Sequence, residues 1–157
     1  MDEQKLELTG ESKLEATQFI VTKIGNEQYG IDIKYVDNIV RMQKITRVPK
    51  APGYYKGVIN LRGEIIPVMS LRLKFELEEI PETKDFRIII IKTDKSNSVG
   101  IVVDSVSEVV SLDDDHMEKP MVDGNDSRMQ YIAMIGKYGE TLISIVSVEN
   151  LIMEKEQ

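Results

Sequence analysis

The 157-residue sequence predicts a mainly β protein built as two similar small barrels. Three features carry that prediction. Short apolar runs alternate at the period of a half-buried strand, Gly- and Asn-containing turns separate them, and the pattern of the first half returns in the second. With 41% hydrophobic residues the chain can bury a core, and its length suits one domain or two small subdomains.

Residues 1–17 are polar and weakly patterned, so they are expected to form a mobile N-terminal tail. From Gln18 the alternation begins. Phe19, Val21 and Lys23 oppose Ile20, Thr22 and Ile24, and Gly25-Asn26 opens a turn. Residues 29–31 resume the strand. Asp32 can cap a short helix through its carboxylate, with Ile33, Val36, Ile39 and Val40 on one helical face. Residues 45–48 read as a further strand, ended by Pro49 and Pro52.

Residues 57–61 and 65–71 read as a hairpin across Arg62-Gly63-Glu64. Pro67 has no N–H for a ladder, which places it at an edge or a bulge. A charged connector, residues 72–84, separates a first subdomain (18–84) from a second (85–146). In the second, residues 86–92 pair with 99–103 around Asp94-Lys95-Ser96-Asn97. An acidic loop follows, then residues 131–137 pair with 142–146 around Tyr138-Gly139-Glu140. Ser147 can cap a helical segment over 147–153, and residues 154–157 form a tail.

The internal repeat is detailed. Gly30-Ile31-Asp32-Ile33 with Val36, Ile39 and Val40 matches Gly100-Ile101-Val102-Val103 with Val106, Val109 and Val110, each pair 70 residues apart. Gly63-Glu64 matches Gly139-Glu140, and Ile66, Val68 and Leu71 fall opposite Leu142, Ser144 and Ser147, at a spacing of 76. Phe19 falls opposite Phe86, 67 residues on. Each half therefore reads strand, turn, strand, short helical segment, late hairpin. Small barrels are the expected closure.

Composition narrows the function. Twenty Lys and Arg against 27 Asp and Glu give a net charge of −7, with no basic patch, which disfavours nucleic acid and anionic membranes as partners. The absence of cysteine excludes disulfides and thiolate metal sites. The longest apolar run, residues 88–91, is too short to cross a bilayer, and the polar start lacks a signal-peptide pattern. A cytoplasmic protein with no direct membrane insertion is expected.

Enzymatic signals are sparse. There is a single histidine, and no nucleophile elbow, P-loop or dinucleotide fingerprint occurs. Asp113-Asp114-Asp115-His116 could converge oxygens on a hard cation, as a metal-dependent hydrolase would require, yet it lacks the alternate spacing and glycine of a calcium loop. The plainer reading is a solvated acidic loop. Met117, Met121, Met129 and Met134 are read chiefly as core filling, with an adaptable binding surface as the alternative. No cofactor, no metal and no catalytic residue is expected.

Ile45-Thr46-Arg47-Val48-Pro49, followed by Gly57-Val58-Ile59-Asn60-Leu61-Arg62-Gly63-Glu64-Ile65-Ile66-Pro67-Val68, resembles the signature of the CheW family of chemotaxis adaptors, G-V-x-N-L-R-G-x-I-x-P. Tyr29-Gly30-Ile31-Asp32-Ile33 and Val99-Gly100-Ile101-Val102-Val103-Asp104 resemble the same family, and the similarity runs from about Phe19 to Leu151. The resemblance implies two intertwined five-stranded SH3-like β-barrel subdomains with short helices. That fold also occurs as the regulatory domain of the histidine kinase CheA and the front half of CheV. This chain has no room for a phosphotransfer, ATP-binding or receiver domain, so a free-standing, non-catalytic adaptor is implied, monomeric when free.

The resemblance further implies a mechanism. Such adaptors couple methyl-accepting chemoreceptors to CheA, laying the receptor's helical tip in an apolar groove between the barrels. Carried over residue by residue, the groove would use Val36, Ile39, Gly57, Arg62, Ile88, Val103 and Val109. The kinase would pack against the first barrel near Ile45, Arg47, Val48 and Leu71, and a second surface on the other barrel would lie around residues 117–129. Arg62 offers a rigid donor fork, against the plainer reading of a solvated turn residue. Asn38 stands where several family members carry an acidic residue, which puts an ion pair with Arg62 in doubt. A scaffold of the same fold in another receptor array is the main alternative.

Overall fold

A computed structural model describes residues 16–93, 96–121 and 124–153. Thr17 already belongs to the first strand, while residues 1–15 and 154–157 of the expected tails lie outside the described residues, as do Asp94 and Lys95 of the second-half turn. The strands are β1 (Thr17–Ile24), β2 (Glu27–Asp32), β3 (Val36–Arg41), β4 (Tyr55–Leu61), β5 (Glu64–Ser70), β6 (Arg87–Thr93), β7 (Ser96–Val103), β8 (Ser105–Leu112), β9 (Met117–Glu118), β10 (Ile132–Tyr138) and β11 (Thr141–Val146). Two short helices follow hairpins: α1 (Leu71–Lys74) after β5 and α2 (Val148–Ile152) after β11. Each opens on a serine cap, Ser70 accepting from the Leu73 N–H and Ser147 from the Asn150 N–H.

The strands form a six-stranded sheet in the order β8-β1-β2-β11-β10-β9 and a five-stranded sheet in the order β3-β6-β7-β5-β4. The expectation of five strands in each is corrected. The two residues of β9 pair with β10 through Ile135 and Gly136, so part of the acidic loop adds a sixth strand. Each sheet takes its leading hairpin from one half of the chain and its remaining strands from the other. The expected boundary at residues 84/85 thus divides the sequence without dividing the architecture, because the halves exchange strands reciprocally.

Both helical segments expected after the second strand of each half are strands. Only Ile33–Tyr35 forms a 3-10 turn, capped as expected by Asp32, whose carboxylate accepts the Lys34 N–H at 3.0 Å. Val36 to Val40 belong to β3, and Val106 to Val110 to β8. The reason is a bulge in each: pairing of β3 with β6 shifts between Val36 and Asn38, and β8 carries an extra residue against Val21/Thr22 of β1. An inserted residue puts Val36 and Ile39, three apart, on one face. Helical spacing was mimicked by a broken strand.

Residues 45–48 are likewise no full strand. Thr46 makes an isolated bridge to Val58, with backbone N–H···O distances of 2.9 and 2.8 Å. Pro67 lies in an interior strand, although β5 pairs with β7 only from Val68 onward, so the proline occupies a stretch paired with β4 alone.

The halves superpose with a different register from the one their letters suggest. The parallel seams pair Val68 with Gly100 and Ile145 with Gly30, which makes Val68 and Ile145 equivalent, at a spacing of 77 rather than 76. The two-residue turns agree: Arg62-Gly63 closes Leu61 on Glu64, and Gly139-Glu140 closes Tyr138 on Thr141. Similarly, Val40 pairs with Ile88 as Val110 pairs with Phe19, so Phe19 corresponds to Ile88 and not to Phe86.

Three apolar clusters result. Phe19, Val21, Val110, Leu112, Ile143 and Ile145 fill the six-stranded sheet's own interior. Ile59, Ile66, Val68, Phe86, Ile88, Ile90 and Val102 fill the other's. The largest cluster lies between them, joining Ile24, Tyr29 and Ile31 to Met69, Ile89, Ile91 and Ile101, with α1 and α2 contributing Leu71 and Leu151. Ile88 and Ile90 face one core while Ile89 and Ile91 face another, so β6 is apolar on both sides.

Candidate partner-binding surface

The β4–β5 turn presents Arg62. Asn60 Oδ1 accepts the Gly63 N–H at 3.1 Å, and the central residues Arg62 and Gly63 have φ of 54° and 84°, the left-handed pair that a two-residue hairpin turn with right-handed strand twist requires. The equivalent position in the second half is Gly139, with φ of 62°. An arginine therefore sits where the fold prefers glycine, at a cost of about 1 kcal/mol. Its guanidinium is exposed and, among the described residues, no hydrogen bond or ion pair engages it. Among the described residues no hydrogen bond joins Asn38 to it. The Asn38 side-chain oxygen accepts the Ile39 N–H at 2.8 Å, inside the β3 bulge.

Gly57 is buried beneath the 45–48 segment. A Cβ there would stand 2.1 Å from the Thr46 carbonyl oxygen, and its φ is 140°. Its evident role is to let β4 and residues 45–48 touch. Ile45 packs on the core of the five-stranded sheet, and Arg47 and Val48 are exposed beside it.

The remaining expected contact residues divide sharply. Ile88, Val103 and Leu71 are fully buried, so they are corrected from contact residues to core residues. The sequence could not separate the two faces of β6 and β7, which are apolar on both, nor see that Leu71 opens the buried helix α1. Val36 and Ile39 are half-buried on β3, one edge of the five-stranded sheet, while Val109 is 55% exposed on β8, the corresponding edge of the other. The fold thus places Val36 and Ile39 together, and Val109 at the equivalent place in the opposite sheet. Around residues 117–129, Met117 packs on the core, Met121 is exposed, Met129 lines a cavity, and residues 122 and 123 lie outside the described residues.

Exposed apolar residues were also missed. Ile65 (60%) and Leu142 (59%) are equivalent under the 77-residue spacing, and only the corrected register relates them. A polar network also escaped notice. Arg128 donates to Glu27 Oε1 at 2.6 Å, to the Tyr29 hydroxyl at 3.1 Å and to both carboxylate oxygens of Asp126. Burial raises the Tyr29 hydroxyl's pKa, and its hydrogen bond to Glu27 raises it further. Asp126's hydrogen bonds raise Arg128 in turn. Glu27, Tyr29 and Arg128 line a cavity of about 370 Å³ with Met129, Ile132 and Leu142.

The acidic loop has a local use for its carboxylates. Asp113 Oδ1 lies 2.6 Å from His116 Nδ1 and accepts the Asp115 N–H at 3.1 Å, capping the 3-10 turn Asp114–His116. Among the described residues no three His, Cys, Asp or Glu side chains are grouped to hold a metal ion.

The domain model described as CheW-like domain matches residues 18–156. The chain belongs to the CheW-like family. It is 34% identical to the chemotaxis protein CheW of Klebsiella aerogenes, over 88% of this chain and 83% of that one. It is 33% identical to the chemotaxis protein CheW of Bacillus subtilis, over 88% of each. The crystal structure of the scaffolding protein CheW of Thermoanaerobacter tengcongensis is similar, with a TM-score of 0.78, 33% identity and 88% of both chains covered. The two sheets are thus the two SH3-like subdomains of that fold. Membership identifies a chemotaxis scaffold of a non-catalytic family. Among the described residues no helix is long and apolar enough to cross a membrane.

Proposed function

We propose that this CheW-like protein couples methyl-accepting chemoreceptors to the histidine kinase CheA, binding both at once and transforming no substrate. The observation that carries the reading is Arg62: an exposed, unengaged guanidinium held in a left-handed turn where the fold's other half uses glycine. Local strain kept at an exposed donor fork supports a recognition role for Arg62. The Ile45–Arg47–Val48 segment, tethered to β4 at Val58, offers an apolar and basic face for barrel packing by CheA. Val36 and Ile39 on the β3 edge supply apolar surface for the receptor's helical tip. The protein would act in the cytoplasm, recruited to membrane-bound receptor arrays.

Reconstitution tests this directly. Receptor-bearing membranes and CheA are assayed for kinase activity with and without the chain, and with Arg62→Ala. Strong activation that Arg62→Ala loses by roughly tenfold, about one charge-assisted hydrogen bond, is the expected result. No activation by the parent protein overturns the coupling role, and full activation by Arg62→Ala overturns the site.

A further inference from the structure

The two sheets are joined covalently at two corners, where the chain crosses from one to the other. At one, β2 of the six-stranded sheet passes through the 3-10 turn Ile33–Tyr35 into β3 of the five-stranded sheet. At the other, β7 of the five-stranded sheet passes through the single residue Asp104 into β8 of the six-stranded sheet. These corners are equivalent under the repeat, yet they are built differently.

Asp104 gathers four elements. Its N–H donates to the Lys23 carbonyl at 3.1 Å, and its Oδ2 accepts the Gly25 N–H at 2.8 Å, which ties it to the β1–β2 hairpin of the six-stranded sheet. From the opposite side Arg72, on α1 after β5, donates Nε to Oδ1 at 3.0 Å and Nη2 to Oδ2 at 2.6 Å, a bidentate pair. Arg72 also donates Nη1 to the Glu78 carbonyl at 3.0 Å and so holds the connector. Both side chains are only 15% exposed. Water competes weakly for a pair so covered.

At the equivalent corner the charges are reversed and apart. Lys34 stands where Asp104 stands and Glu149 where Arg72 stands, at spacings of 70 and 77. Both are exposed, and the Lys34 ammonium instead lies 5.1 Å from the centre of the Tyr35 ring. Among the described residues, the ion pair at one corner has no counterpart at its twin.

We propose that the Arg72–Asp104 pair is the fastener that fixes the angle between the two sheets, with Asp104 as the pivot and Arg72 as a positioning residue. Surfaces drawn from both sheets, packed on the shared central cluster, then keep one mutual orientation because the partly buried ion pair holds α1 to the crossing residue, which the Gly25 N–H ties to the β1–β2 hairpin. The inference does not depend on which partners those surfaces bind.

The chain has no cysteine, so Lys92→Cys on β6 and Ser111→Cys on β8 give two unique label sites, one per sheet. Electron–electron resonance then reads the inter-sheet distance, and amide exchange of Gly25 reads the clamp itself. In the parent both readings should be tight: one narrow distance population and a protected Gly25 N–H. Arg72→Gln and Asp104→Asn should each broaden the distance distribution, and Arg72→Gln should speed Gly25 exchange roughly tenfold or more. Arg72→Lys, which keeps the charge with a poorer fork, should fall between, and Glu149→Gln should match the parent. Parent-like distances in folded Arg72→Gln and Asp104→Asn overturn the proposal, as does equal broadening by Glu149→Gln. Should Arg72→Gln not fold, Asp104→Asn and Arg72→Lys carry the same two readings, and a narrow distance in both refutes the fastener.

Discussion

Replacing Gly57 with alanine perturbs one defined contact. The added methyl carbon would meet the Thr46 carbonyl oxygen at 2.1 Å and the Ile45 Cγ2 at 2.9 Å, distances that no rotamer relieves because Cβ is fixed by the backbone. The bridge must open, losing its two backbone hydrogen bonds to Val58 at about 1 kcal/mol each. A φ of 140° adds roughly 1–3 kcal/mol for any side chain. Together the loss should reach about 3–5 kcal/mol, a large share of a typical domain's stability. Urea unfolding followed by circular dichroism measures it, and the melting temperature should fall by roughly 6–20 °C at this chain length. Gly139→Ala provides the control: φ is 62° and nothing lies within 4 Å of the new carbon, so only left-handed strain of about 1 kcal/mol applies. If Gly57→Ala costs no more than Gly139→Ala, the collision is absorbed elsewhere and the account of this bridge is wrong.

Three further outcomes are expected. Arg62→Gly should relieve turn strain and stabilise the fold by about 0.5–1 kcal/mol while kinase coupling falls, a pairing that separates recognition from structure; equal loss of both in unfolding and coupling assays counts against it. Ile88→Val should cost about 0.5–1.5 kcal/mol by denaturation and leave coupling intact, as a fully buried residue requires, and selective loss of coupling would return Ile88 to the surface. At Asp104 burial acts to raise the carboxyl's pKa, but the Arg72 hydrogen bonds, the Gly25 N–H and the Arg72 charge outweigh it and hold the pKa low. The folded state then binds that proton less tightly than the unfolded chain. The resulting stability is complete above the ordinary carboxylate value of about 4 and is lost as pH falls through and below it. Asp104→Asn should flatten the acid limb of stability against pH, and an unchanged limb would assign it to other carboxylates.

Much of this architecture was legible, and the failures share a cause. The hairpins at 57–71 and 131–146 declared themselves through period-2 alternation and left-handed turn residues. Asp32 and Ser147 were recognisable caps. The bulges were not. An extra residue beside Val36 and another beside Val106 turned alternating spacing into an apparent helical one. The repeat was visible but misaligned. Matching Gly63 to Gly139 was natural, yet one turn carries its glycine second and the other first, so the true spacing is one residue longer. That single step moves Ile66 from opposite Leu142 to opposite Ile143 and exchanges every inward side chain for an outward one. Phe19 with Phe86 errs by two, which preserves the face and so leaves no trace in the pattern.

For the contact surface the limit was burial. Ile88, Val103 and Leu71 carry the same apolar character as Val36 and Ile39, and only their position between cores removes them from a partner's reach. Arg62 was legible because its motif is local. The Glu27–Tyr29–Arg128 network was not, since a span of 101 residues separates its ends.

The reciprocal exchange of strands bears on how the chain is made. A polypeptide leaving the ribosome offers β1 and β2 first, but their neighbours β8 and β11 come only after Asp104, and β3 must wait for β6. The five-stranded barrel has all its strands once Val103 has emerged, whereas the six-stranded one waits until Val146. The barrels are therefore completed in turn, and a chain terminated between those points leaves the β1–β2 hairpin short of its neighbours, a substrate for chaperones and proteases.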